Sequence, residues 1–371
     1  MFGPRGSGKS SLIKELFSKP NTLWINLLDS ENYRQYLARP QLLEEQALAK
    51  PWDWIVIDEV QKVPALLDHV HNLIESHHLK FILTGSSARK LKRDGANLLA
   101  GRAFVNFLHP LTSWELKSDF QLDKILNWGS LPKLTHLEQE IEYREFLKAY
   151  IHTYIKEEIK EEQAVRNIEP FVKFLEVAAQ MNGKILNYSK IARDSGTNSK
   201  AVERYYEVLS DTLIGFFLEP YHQSVRKRQT QHAKFYFFDI GVTKALNNGL
   251  TIPTVPGTIQ YGDAFEQFYI LECIRLNDYL RKDFKFSYLR TKDDLEIDLI
   301  VERPGKRKVL IEIKSTTTVD NQDISRMKTI KEDLSPCEFW FVSREKTARV
   351  VDDIQVLPWD ESLKKLFDGQ I

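Results

Sequence analysis

Gly3-Pro4-Arg5-Gly6-Ser7-Gly8-Lys9-Ser10 fits the pattern G-x-x-x-x-G-K-[ST] at every position. Glycines at these places let successive backbone N–H groups curl around phosphate oxygens. The helix that follows adds the positive end of its dipole. Gly3, Pro4, Arg5, Gly6, Ser7, Gly8 and Ser11 are expected around the phosphates, with Lys9 on the β- and γ-phosphates. The Ser10 hydroxyl is expected to hold Mg²⁺. ATP and Mg²⁺ are the ligands this spacing implies.

Working outward, Ile55-Val56-Ile57-Asp58-Glu59 is an apolar strand that ends in two acids. Asp58 suits the Mg²⁺ shell, and Glu59 is placed to polarise an attacking water as general base. The next strand, Lys80–Leu83, runs into Thr84-Gly85-Ser86-Ser87. Thr84 or Ser86 can position that water, or the segment is a plain turn. Arg102 reads either as an arginine finger for a neighbouring copy or as a surface salt bridge. Further strands are expected at Leu23–Leu28 and Ala103–Phe107. Short apolar strands separated by helical stretches predict a buried parallel sheet.

Taken together, GPRGSGKSS, IVIDEVQKVP, FILTGSSARKL, LAGRAF and LHPLTSWEL resemble the archaeal-type AAA+ ATPases of prokaryotes. There the ATPase is joined to a C-terminal domain of unknown function. The resemblance implies an α/β P-loop AAA+ core over 1–112 and a helical lid or linker over 113–165. A winged-helix module over 166–246, a nuclease-like α/β domain over 258–345 and a tail over 346–371 complete the division. It also implies a homo-oligomer by analogy. Only Met1 and Phe2 precede Gly3, where P-loop proteins carry a whole strand. The expectation is therefore a natural start further upstream.

Ile185–Leu218 follows the helix-turn-helix plan. Tyr188–Asp194 is a short helix, Gly196 lies in the turn, and Ser199–Leu213 is a second helix. Lys200 and Arg204 on that helix, with Arg226, Lys227, Arg228 and Lys234 on a following wing, suit contacts to DNA phosphates. Glu203 and Glu207 interrupt the basic face. A module for protein contacts, or an ATPase lid, is the alternative.

A second acidic set lies near the C-terminus. Asp298 sits in the strand LEIDLIV, and Glu312 and Lys314 sit on one face of VLIEIKS. Two carboxylates can hold Mg²⁺ at a phosphodiester, and a lysine can steady the developing charge. Glu266 on a preceding helix can complete the metal set. The D…E-x-K pattern looks like the PD-(D/E)xK nuclease superfamily, and the resembled family's C-terminal domain has that core. A salt-bridged cluster in an inactive nuclease-like fold is the other reading.

Composition sets the remaining bounds. The chain has 371 residues, 42% hydrophobic and 28% charged, and a formal net charge of +0. That is too long for one core and too neutral for a bulk attraction to nucleic acid. Cys273 and Cys337 cannot form a disulfide framework, which suits a reducing cytoplasm. No apolar run reaches membrane-spanning length. Two functions follow as expectations. One is ATP hydrolysis coupled to action on nucleic acid. The other is a nucleotide-dependent switch that binds a protein partner and cuts nothing.

Overall fold

The computed structural model describes residues 1–17, 21–87, 101–155, 168–221, 232–290, 295–325 and 334–369. The chain divides into two compact units. The first is built mainly on Met1–Pro110; the second is built on Leu111–Lys156, Asn167–Tyr206 and Gly215–Ile371.

In the first unit the glycine loop runs into helix α1 (Lys9–Phe17). It is followed by β1 (Thr22–Asn26), α2 (Ser30–Ala38), α3 (Leu42–Leu48), β2 (Trp54–Asp58), α4 (Leu66–His77) and β3 (Phe81–Leu83). The strands form a parallel sheet in the order β1-β2-β3. Its register pairs Asn26 with Asp58 and Ile57 with Leu83. Ile55, Val56 and Ile57 are all 1% exposed or less. An apolar run without alternation is what a parallel strand covered on both faces requires. Each such side chain contributes roughly 1.5–3 kcal/mol by leaving water. Ile25, Leu27, Leu66, Val70 and Leu73 close the core around them.

Met1 and Phe2 lie beside β3. Phe2 forms parallel bridges to both Gly85 and Phe107. Gly85 N–H donates to the Met1 carbonyl at 3.1 Å, and Leu108 N–H donates to the Phe2 carbonyl at 2.7 Å. The backbone ahead of the loop is thus paired on both sides. The expected strand over Ala103–Phe107 is reduced to the single bridge at Phe107, and Phe104 is 86% exposed. The physical reason is that the ladder partner there is Phe2 alone.

The second unit begins with α5 (Ser113–Leu116), α6 (Leu122–Trp128) and α7 (Glu140–Ala149). A helical lid or linker is expected here; Leu111–Lys156 belong to the second unit. Glu272, deep in that unit, accepts from Ser113 N–H at 2.9 Å, and Arg275 donates to the Leu111 carbonyl at 3.2 Å. Helices α8 (Ile168–Gln180), α9 (Tyr188–Ser195) and α10 (Ser199–Asp211), the last assigned to the first unit from Glu207 onward, come next. Gly196 ends α9 with φ of 69°, a left-handed geometry that glycine adopts without strain. Then come β4 (Gly215–Pro220), β5 (Lys234–Phe237), α11 (Ile240–Leu246) and the 22-residue α12 (Ile259–Leu280).

After α12 the chain lays down β6 (Lys285–Arg290), β7 (Glu296–Glu302), β8 (Lys308–Ile313) and β9 (Cys337–Ser343). The segment expected to be a tail supplies β10 (Arg349–Val351), β11 (Ile354–Pro358) and α13 (Trp359–Leu366) instead. All join one eight-stranded sheet, in the order β10-β11-β9-β8-β7-β6-β4-β5. β6, β7 and β8 pair antiparallel, and β9 lies parallel to β8. Tyr261, Phe265 and Tyr269 of α12 pack in one core with Leu299, Ile311 and Trp340 of the sheet.

Candidate functional site

The glycine loop has the backbone its motif demands. Gly6 and Gly8 have φ of 76° and 93°, where a side chain would be strained. A Cβ on Gly3 would stand 2.2 Å from the Leu108 carbonyl oxygen, so only glycine fits. Lys9 is buried, and its ammonium donates to the carbonyls of Gly3 and Pro4 at 2.7 and 3.1 Å. Ser7 is buried with a hydroxyl that has no partner. An orphaned donor and an ammonium resting on loop carbonyls fit a phosphate that both would otherwise contact. Arg5 and Ser10 are half-buried and Ser11 is exposed on α1.

Parallel pairing sets the end of β2 against this loop. The Ser10 hydroxyl donates to Asp58 Oδ2 at 2.7 Å. Thr84 donates to Asp58 Oδ1 and accepts from Glu59 N–H at 3.0 Å. Thr84 therefore anchors the two acids. Glu59 has φ of 60° and is 6% exposed. This left-handed geometry turns its carboxylate to Ser86, whose hydroxyl lies at 3.2 Å, and to the amide of Gln61. Sequence reasoning missed Gln61. Its signal was a second polar residue just past the acid pair, at a position that the short helical turn Val60–Lys62 buries. Arg102 pairs with Glu75 on α4.

The acidic set of the second unit comes together on neighbouring strands. Register pairs Leu299 with Ile311, and its next step sets Asp298 opposite Glu312. Asp298 accepts from Ile313 N–H at 2.7 Å. Lys314 pairs with Glu312 Oε1 at 2.8 Å, while the buried Glu312 Oε2 has no partner. Burial pushes the Asp298 carboxyl well above the ordinary range, with Glu312 and Glu266 adding to the shift. Burial raises Glu312 as well, against the pull of Lys314. Glu266 takes different partners. Its Oε1 accepts from Tyr236 O–H at 2.5 Å and lies 3.5 Å from the Lys234 ammonium. Among the described residues, no group of three or more His, Cys, Asp or Glu is arranged to hold a metal ion. The three-carboxylate set of Glu266, Asp298 and Glu312 is therefore not assembled. Lys234, expected from the sequence as a basic residue of the wing, is instead buried against Glu266 and Glu296.

On α10, Lys200 and Arg204 are exposed beside exposed Glu203 and Glu207, while Val202, Tyr205 and Tyr206 are buried. Arg226, Lys227 and Arg228 lie outside the described residues. Among the described residues, no helix is long and apolar enough to cross a membrane.

Residues 1–117 match the family described as an AAA domain. Residues 119–251 and 261–361 match two domains of unknown function, DUF8612 and DUF4143. An uncharacterized protein of Mycobacterium tuberculosis is 27% identical over 324 residues, 85% of this chain and 70% of the relative. One of Methanocaldococcus jannaschii is 22% identical over 340 residues, 84% and 73% of the two chains. Among solved structures, Can2 from Sulfobacillus thermosulfidooxidans in complex with cyclic tetra-adenylate aligns over 96% of this chain and 99% of that one. Its identity is 10% and its TM-score 0.22, which does not indicate a common fold. The domain matches support an ATPase-like family, and the parallel N-terminal sheet is consistent with a P-loop AAA domain.

Proposed function

We propose that the first unit binds ATP with Mg²⁺ and hydrolyses it to ADP and phosphate. The observation that carries this is the Ser10–Asp58 hydrogen bond at 2.7 Å beneath a loop whose glycines hold left-handed backbones. Ser10 and Asp58 are the residues that would hold the ion, which neutralises charge on the phosphates. Lys9 exchanges its two loop carbonyls for the β- and γ-phosphate oxygens. Glu59 leaves Ser86 and Gln61 and takes a proton from water as the water oxygen bonds to the γ-phosphorus. The bond from that phosphorus to the β-phosphate oxygen breaks, and ADP departs with the electron pair. Lys9→Ala is expected to lose nucleotide binding by calorimetry. Glu59→Gln is expected to bind ATP normally and turn it over ~10²–10⁴-fold more slowly. Equal turnover in wild type and Glu59→Gln would remove Glu59 as the base.

A second reading concerns the other unit. The order α12-β6-β7-β8, with helical residues 321–325 before β9, supports a nuclease-like core. The orphaned Glu312 Oε2 beside Asp298 fits one divalent cation held by those two carboxylates, with Lys314 next to them. The ion would polarise a phosphodiester. On this reading ATP hydrolysis serves action on nucleic acid, with α9 and α10 as the helix-turn-helix that meets DNA. Incubating plasmid and short duplexes with Mg²⁺ or Mn²⁺ tests it. Cutting that Asp298→Ala and Lys314→Ala both abolish is expected. No cutting of any substrate leaves the switch that binds a protein partner.

A further inference from the structure

Lys234 opens β5, in the run Lys234-Phe235-Tyr236-Phe237, and all four residues are buried. Its side chain is 3% exposed. A lysine on such a strand is costly unless its charge is matched, and a methionine or leucine of similar volume would be less so. The match comes from two other elements. Glu296 Oε1 of β7 lies 2.5 Å from the ammonium and Glu266 Oε1 of α12 lies at 3.5 Å. The ring of Tyr288 on β6 lies 5.4 Å from it. Burial works against the ammonium, but Glu266, Asp298 and Glu296 outweigh it and hold its pKa above the ordinary lysine value. Lys234, Glu266 and Glu296 border a polar cavity of about 250 Å³, together with Lys184, Asp263 and Arg290.

We propose that Lys234 is a built-in cation of the acidic cluster. Its ammonium takes the place that a divalent ion would otherwise occupy between Glu266 and Glu296, and it withholds both from metal binding. The geometry favours this over an ordinary structural ion pair. One lysine gathers carboxylates from two separate elements within a cluster where the buried Glu312 Oε2 remains without a partner. Glu266 Oε1 is further committed by the Tyr236 hydroxyl at 2.5 Å. An ammonium is a compact point charge with three donors, which suits such a place better than a guanidinium. The inference rests on the second reading only in placing a divalent ion at Asp298 and Glu312. Its own test reads stability and needs no cutting.

The full chain carrying Asp58→Asn, which removes the carboxylate expected to hold metal in the first unit, is melted in EDTA and in millimolar Mn²⁺. The comparison is with the same chain carrying Lys234→Met. The methionine variant is expected to melt several degrees lower in EDTA and to recover at least half of that loss in Mn²⁺. Adding Glu266→Gln should abolish the recovery, because the freed carboxylate is what takes the ion. Melting like the parent, or no recovery in Mn²⁺, overturns the proposal whether or not the chain cuts nucleic acid. Should the methionine variant fail to fold in EDTA, its folding in Mn²⁺ supports the proposal and its failure in both overturns it. Glu266→Gln with Lys234 intact gives the converse check. It should lower the melting point equally in EDTA and Mn²⁺; loss of an Mn²⁺-dependent stabilisation instead would make Glu266 a metal ligand and overturn the idea.

Discussion

At the scale of single residues, the glycine loop carries the most information. Gly3 is set by sterics, because any Cβ there meets the Leu108 carbonyl oxygen at 2.2 Å. Backbone cannot swing aside as a side chain can. Gly3→Ala is therefore expected to cost about 1–3 kcal/mol, read as a lowered midpoint in urea, with weaker ATP binding by calorimetry. An alanine variant as stable as wild type would show that Leu108 moves freely. The spacing of the motif and the two acids that end β2 made this part legible. Gln61 and Thr84 were harder to assign. A motif names which residues meet the ligand, but the residues that hold the acids are set by how the turn after β2 folds back. Lys234 was read differently for a related reason. A lysine that begins an aromatic strand after a basic run reads as an exposed wing residue, and only the sheet and α12 together show that it is enclosed.

At the scale of elements, β7 and β8 bring Asp298 and Glu312 side by side at a cost in charge. A buried acid whose pKa is raised on folding binds its proton more tightly in the folded state. Its contribution to stability is greatest below the ordinary carboxylate pKa and falls as pH rises toward the folded value. Asp298 has such a shift, caused first by burial and then by Glu312. Asp298→Asn keeps an oxygen able to accept from Ile313 N–H and removes the titration. Its stability should fall less steeply with rising pH above about 4 than that of wild type, measured by urea unfolding across a pH series. Parallel curves would mean that Asp298 titrates alike in both states.

Helix α12 makes a second test at this scale. Glu272 and Arg275 are 1% and 3% exposed and lie 3.8 Å apart. They bond Ser113, Leu111 and Ser130. Glu272→Ala leaves Arg275 buried without its counter-charge and is expected to cost about 3–5 kcal/mol, seen as a large drop in melting temperature. A drop of under a degree would contradict this. The helical character of 122–149 was readable from its Glu-, Lys- and Leu-rich spacing. That it belongs with α12 was not, since buried partners more than a hundred residues apart leave no periodic mark. The strands at Arg349–Val351 and Ile354–Pro358 escaped notice similarly. They are short, and Asp352 and Asp353 between them, both with positive φ, read as a polar tail.

At the scale of the whole molecule, the named residues of each candidate site fall within one unit. Ser10, Asp58, Glu59 and Thr84 lie in the first; Lys234, Asp298, Glu312 and Lys314 lie in the second. The two sets are therefore expected to separate by mutation. Asp298→Ala should hydrolyse ATP within about twofold of wild type, because a twofold change is only ~0.4 kcal/mol of barrier. Lys9→Ala should abolish ATP turnover while leaving any Mn²⁺ binding at Asp298 and Glu312 intact, read by calorimetry in nucleotide-free buffer. The sign of a departure is informative. If Asp298→Ala lowers ATP turnover tenfold without unfolding the chain, the second unit controls hydrolysis by the first, and the coupling is worth about 1.4 kcal/mol. Turnover unchanged in Asp298→Ala but raised by added DNA would place the coupling in nucleic-acid contact instead. Turnover indifferent to both would leave hydrolysis independent of the acidic cluster and of DNA.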